Sequence, residues 1–145
     1  MVTPAELVID KEIDAQRSFY PGPLRVVILG GGVGGTLLAN LLARKLRRSR
    51  AEITVIDETG RHVYQPGWLY VPFGEEQPRH LVKSERSLLS RSVQLITSRA
   101  QAIDPVAKRV VLADAPSVAY DTLVIATGAR LEPAAVPGFA EGAQH

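Results

Sequence analysis

Residues 25–57, RVVILGGGVGGTLLANLLARKLRRSRAEITVID, decide the fold. A β-branched apolar run, Val26-Val27-Ile28-Leu29, leads into Gly30-Gly31-Gly32-Val33-Gly34-Gly35. An apolar pattern of helical spacing follows, and a second β-branched run closes on Asp57. The order is strand, glycine turn, helix, strand. Gly30, Gly32 and Gly35 fill the three glycine places of G-x-G-x-x-G, and Asp57 lies 22 residues past the last of them, near the spacing of a dinucleotide-binding fingerprint. Gly30 permits the tight turn off the strand, Gly32 leaves the backbone open to a pyrophosphate, and Gly35 lets the helix pack closely on the sheet. Val33 and Gly34 open the helix, whose unpaired amides and positive dipole end face the phosphates. Asp57, with Glu58 beside it, offers a carboxylate to ribose hydroxyls, where an Arg would suit a 2′-phosphate.

Beyond the turn, Leu37, Leu38, Leu41, Leu42 and Leu46 recur at helical spacing and predict a helix of about four turns, buried along one side and ending near Arg48. Arg44, Lys45, Arg47, Arg48 and Arg50 gather at its negative pole, where solvated cations are stabilised. Glu52 to Asp57 then forms a buried strand, parallel to the first and joined to it by a right-handed crossover. Residues 58–77 hold half of the aromatics, and Pro66, Pro72 and Gly67 forbid a long regular element there. So apolar a loop needs something to cover. His80 to Ser90 reads as a short helix. Val93–Thr97 reads as a sheet strand, with a small antiparallel meander over Ala100–Ile103, Arg109–Leu112 and Val118–Tyr120. Thr122–Ala126 is a last buried strand running into Thr127-Gly128-Ala129-Arg130. Residues 1–23 read as a flexible extension, residues 24–130 as one Rossmann-like domain, and 131–145 as a linker.

The 145 residues are one domain's worth, and 46% hydrophobic with 22% charged residues is ordinary for a globular protein. A formal charge of only +2 gives no case for a nucleic-acid partner, despite a pI near 9.2. No apolar run approaches the roughly 18 residues of a membrane span, and no basic-then-apolar signal opens the chain. There is no cysteine, which excludes disulfides, thiolate nucleophiles and Cys-ligated metals within this chain. His62, His80 and His145 carry no metal-binding spacing and read as surface or loop histidines.

Three separated motifs together resemble the two-dinucleotide-binding-domain flavoproteins, and within them the sulfide:quinone oxidoreductase-like enzymes. They are the glycine fingerprint with Asp57, the stretch Tyr120-Asp121-Thr122-Leu123-Val124-Ile125-Ala126-Thr127-Gly128 with Pro137-Gly138, and His62-Val63-Tyr64-Gln65-Pro66-Gly67-Trp68-Leu69-Tyr70. The resemblance implies a three-layer α/β, Rossmann-like FAD/NAD(P)-binding fold with a small antiparallel meander. It implies FAD extended across it: pyrophosphate at Gly32 to Gly35, adenosine over Asp57, Gln65 and Pro66 near the flavin, Ala100 meeting the adenine through main chain, and Thr127 and Gly128 beneath the cofactor. In such enzymes sulfide attacks a redox disulfide and electrons pass through FAD to quinone at the membrane. On this reading the chain is the N-terminal FAD-binding portion, truncated before the redox cysteines and the second domain, and inactive by itself. Sulfide and quinone are partners implied for a full-length member. A homo-oligomer is allowed, and the location implied is cytoplasmic, at the inner face of the plasma membrane for a full-length member. Type II NADH:quinone dehydrogenases resemble the chain too, but have Gln-Pro-Leu-Leu where this chain has Gln65-Pro66-Gly67-Trp68. A nucleotide-binding remnant without redox turnover is the reading from another functional class.

Overall fold

A computed structural model describes residues 22–129 and 132–139. The extension expected over 1–23 lies outside the described residues except for Gly22 and Pro23, as do Arg130, Leu131 and residues 140–145 of the expected linker. Four parallel strands form the central sheet: β1 (Leu24–Leu29), β2 (Ala51–Asp57), β5 (Val93–Thr97) and β9 (Thr122–Ile125), in the spatial order β5-β2-β1-β9. Register pairs Ile28 with Val55 on one side and with Val124 on the other. The remaining elements are helix α1 (Val33–Lys45), hairpin strands β3 (Arg61–Val63) and β4 (Val82–Ser84), the one-turn helix α2 (Glu85–Leu88), and the meander β6 (Ala100–Asp104), β7 (Arg109–Leu112) and β8 (Val118–Ala119). The fold is therefore α/β and Rossmann-like.

The near-continuous apolar runs of β1 and β2 follow from burial on both faces of the sheet. Successive side chains of a strand point to opposite faces, so Val26 and Ile28 go one way and Val27 the other. Val26, Ile28, Ile53 and Val55 pack with Ala39, Leu38 and Leu42 of α1. Val27 and Ile56 pack with Val110, Leu112 and Tyr120 of the meander. Helix, sheet and meander are thus three layers, with two apolar seams between them.

Four expectations need correction. The strand expected to be buried at Thr122–Ala126 is β9, which lies at the edge of the four-stranded sheet with Leu123 and Val124 half-buried and Ile125 exposed, because nothing among the described residues pairs with its outer side. Helix α1 ends at Lys45, three residues before Arg48, and its apolar residues are split: Leu38 and Leu42 pack inward, whereas Leu37 and Leu41 are exposed. Leucines at i and i+1 lie about 100° apart on a helix, so a narrow contact stripe cannot take both. Residues 80–90 are not one helix: His80 and Leu81 end a 3-10 turn over Pro78–Leu81, β4 pairs antiparallel with β3, and only Glu85–Leu88 is α-helical. The β-branched Val82 and the demand of β3 for a partner outweigh the helical spacing. Finally, the proline-rich stretch is regular after all, as a 3-10 helix over Gln65–Phe73. Pro66 and Pro72 donate no i→i−4 bond, and the tighter turn instead uses bonds such as Gly67 N–H to the Tyr64 carbonyl (3.2 Å).

Candidate functional site

The carboxyl ends of the four parallel strands lie along one edge of the sheet. The chain goes from β1 to β2 on one side, while β9 flanks β1 on the other. This divergence is a topological switch point, where open α/β sheets form a crevice outside the strand ends. The glycine turn occupies it.

Each glycine has its own reason to lack a side chain. Gly30 has φ +107°, a left-handed value, and a Cβ there would run into the Ala126 carbonyl just past β9. A Cβ on Gly35 would strike the Gly30 carbonyl oxygen, so the helix approaches the turn as closely as backbone permits. Gly32 and Gly34 differ: they are exposed, and a Cβ on either would meet nothing within 4 Å. Gly32 caps α1 with extended backbone and no side-chain hydrogen bond, and no acid lies in the first turn. The amides of Gly32, Val33 and Gly34 have no acceptor within the helix and present partial positive charge at a backbone with open space in front of it. The residues present therefore fit an anionic diphosphate.

Asp57 stands at the carboxyl end of β2 beside this turn. Its Oδ2 accepts the Gly31 amide (2.9 Å), and its Oδ1 accepts the amides of Thr59 (2.9 Å) and Gly60 (2.8 Å) and the Thr59 hydroxyl (3.1 Å). Burial works to raise the pKa of Asp57, but the combined bonds from Gly31, Thr59 and Gly60 prevail and hold it below the usual carboxylate value. The aspartate thus ties β2 to the glycine turn, and on Oδ2 one acceptor site is left. Glu58 is exposed next to it.

The structure draws the other expected residues to different distances. Thr127 abuts the turn, since a Cβ on Gly30 would lie 3.0 Å from its Cα, and Gly128 follows with φ +71°. Gln65 and Pro66 open the 3-10 segment, which carries Trp68, Leu69, Tyr70 and Phe73 exposed. Ala100 begins β6, where the ladder with β7 shifts register between Ala100 and Ala102 and main-chain groups leave regular pairing.

Sequence reasoning missed a buried polar cluster behind the turn. Glu85 is fully buried. Its Oε1 lies 2.6 Å from the Thr36 hydroxyl and its Oε2 3.0 Å from His62 Nδ1. His62 is corrected from a surface or loop histidine: it lies in β3 with its side chain 12% exposed. His80 is exposed, bonded to Glu76 (2.9 Å), and His145 lies outside the described residues. No local signal marks Glu85, because residues 81–89 form no single face and its partners Thr36 and His62 lie far from it in sequence. No group of three metal-binding side chains occurs among the described residues, nor any helix long and apolar enough to cross a membrane.

Comparison with known proteins agrees with this geometry. The mouse mitochondrial sulfide:quinone oxidoreductase is 29% identical over 117 residues, covering 81% of this chain and 26% of that protein. The type II NADH:quinone oxidoreductase NdhA of Mycobacterium tuberculosis is 34% identical over 120 residues, covering 79% of this chain and 25% of that protein. The crystal structure of the sulfide:quinone oxidoreductase of Aquifex aeolicus superposes with a TM-score of 0.65 at 27% identity, over 75% of this chain and 25% of that one. The chain spans about a quarter of the length of these relatives. Residues 24–145 match the pyridine nucleotide-disulphide oxidoreductase family, and the chain belongs to it.

Proposed function

We propose that the chain is the FAD-binding portion of a flavin-dependent oxidoreductase of the sulfide:quinone oxidoreductase kind. The observation that carries the reading is the unobstructed, exposed backbone at Gly32 and Gly34, at the positive end of α1 and the carboxyl edge of the sheet. When bound, FAD supplies an isoalloxazine ring that accepts an electron pair from a donor and returns it to an acceptor. The chain's own residues bind and orient it. The amides of Gly32, Val33 and Gly34 hold the pyrophosphate, and Gly30 and Gly35 keep that backbone against the sheet. Asp57, through its remaining acceptor site, and the exposed Glu58 take the ribose hydroxyls. Ala100 meets the adenine by main chain, Gln65 and Pro66 stand toward the flavin, and Thr127 and Gly128 support it from below.

Sulfide as donor and quinone as acceptor are properties proposed for a full-length protein, motivated by the named relatives. The type II NADH:quinone oxidoreductase reading has its own support in the 34% identity to the mycobacterial protein. The sequence contrast at Gly67-Trp68 weighs less than it first does, since a Cβ on Gly67 would collide with the Leu81 side chain. Packing against the Leu81 side chain is a second reason for glycine there. Titrating the 145-residue chain with FAD and separately with NAD tests the cofactor: FAD saturation with a bound-flavin absorption band is expected. Tighter binding of NAD contradicts the proposal, and binding of neither supports a nucleotide-free remnant. Assaying a full-length protein with sulfide and with NADH as donors separates the two enzyme readings.

A further inference from the structure

We infer that Thr36, His62 and Glu85 are positioning residues that aim the Gly32 amide outward at the diphosphate; the inference rests on the cofactor reading above. The argument begins with the Gly31–Gly32 peptide. Among the described residues no peptide is cis, and in a planar trans peptide the C=O of one residue and the N–H of the next point in opposite directions. Whatever holds the Gly31 carbonyl inward therefore turns the Gly32 N–H outward. His62 Nδ1 reaches it at 3.1 Å; the Thr36 hydroxyl lies at the same distance, but its single hydrogen is drawn to the nearer acceptors, Glu85 Oε1 at 2.6 Å and Gly32 O at 2.8 Å.

A backbone carbonyl and a carboxylate are both acceptors, so His62, between Gly31 O and Glu85 Oε2, carries its hydrogen on Nδ1 and donates. Glu85 takes the Thr36 hydroxyl hydrogen on Oε1 and shares the His62 Nδ1 hydrogen with the Gly31 carbonyl on Oε2, so Thr36 acts by holding Glu85, whose own amide is held by the Gly60 carbonyl at 2.9 Å. The other half of the Gly31 residue is fixed as firmly, because its N–H is held by Asp57. A Cβ on Gly31 would lie 3.1 Å from both the Asp57 and the Glu85 carboxyl groups, so any side chain there would press both apart by a few tenths of an ångström. Asp57 thus holds the Gly31 N–H directly and Glu85 acts on its carbonyl through His62, and the amide that emerges in front is that of Gly32, whose backbone is open to solvent. The cluster also reaches across elements: Thr36 is on α1, His62 on β3 and Glu85 on α2. His62 lies three residues before Gln65, so the strand that supports the turn also fixes where the aromatic segment starts.

The test uses the whole 145-residue chain, isotopically labelled, with FAD titrations and the amide signal of Gly32 followed by NMR. In the wild-type chain FAD should displace the Gly32 amide resonance strongly, as expected for a charge-assisted bond. His62→Leu should weaken FAD binding about tenfold, the loss of roughly one hydrogen bond to a charged group, and reduce that displacement. His62→Asn, whose amide nitrogen occupies the place of Nδ1, should restore most of both. Glu85→Gln, which puts donors where the cluster needs acceptors, should weaken binding like His62→Leu. If His62→Leu folds and keeps wild-type affinity and displacement, the inference is wrong. Should that variant fail to fold, a wild-type chain that binds FAD while its Gly32 amide stays unmoved overturns the inference and leaves the cofactor reading standing. A wild-type chain that binds no FAD overturns both.

Discussion

At the scale of single residues, the glycines of the turn separate into those required by the fold and those required by a ligand. Gly32→Val should abolish FAD binding, because the branched side chain occupies the open space in front of the turn amides. It should lower the melting temperature little, because nothing in the protein lies within 4 Å of its Cβ. Thermal denaturation beside an FAD titration checks both halves. Gly35→Ala should do the reverse, destabilising the fold itself by about 1–3 kcal/mol or more through overpacking against the Gly30 carbonyl. Acid should act through two aspartates. The hydrogen bonds from the Arg25 side chain hold the Asp121 carboxyl below its usual pKa, and at Asp57 the turn amides outweigh burial in the same direction. A group with a depressed native pKa contributes stability that is complete above its unfolded value, about 3.9 for Asp, and is lost as pH falls through the native value. Denaturant midpoints should therefore be insensitive to these two groups near neutrality and fall below about pH 4. The acid loss should shrink in Asp121→Asn.

At the scale of elements, the parallel strands and glycine turn were legible because their signals are local and redundant: β-branched runs, three spaced glycines and a closing acid. The meander was legible too, from short apolar runs punctuated by Asp104-Pro105 and Ala115-Pro116. What escaped was set by tertiary pairing. Val82–Ser84 becomes a strand only because Arg61–Val63 lies opposite it, and nothing in the sequence near residue 82 announces that partner. Helix α1 shows the same limit, since five leucines mark a helix but do not say which of them face the sheet. Leu38→Ala should cost about 1–3 kcal/mol because Leu38 packs against the core, whereas Leu37→Ala, at 66% exposed, should change stability by no more than roughly 0.5 kcal/mol. Chemical denaturation of the two variants side by side decides this. The buried Thr36–His62–Glu85 cluster was illegible for a related reason: its members are separated by 26 and 23 residues and meet only once the hairpin folds over the turn.

At the scale of the whole molecule, a three-layer unit presents an open glycine backbone at the switch point of its sheet and, after the second strand, an exposed aromatic segment. Trp68, Leu69, Tyr70 and Phe73 remain uncovered here, in a chain that spans about a quarter of its named relatives. The family assignment follows from residues 24–145 as a whole, and the cofactor reading from the glycine turn alone. The most direct measurement is therefore a titration of the purified 145-residue chain with FAD, run beside the Gly32→Val variant. Saturable flavin binding by the wild-type chain and none by a variant with the same melting temperature is the predicted result. Equal FAD binding by both, or by neither, would contradict the account.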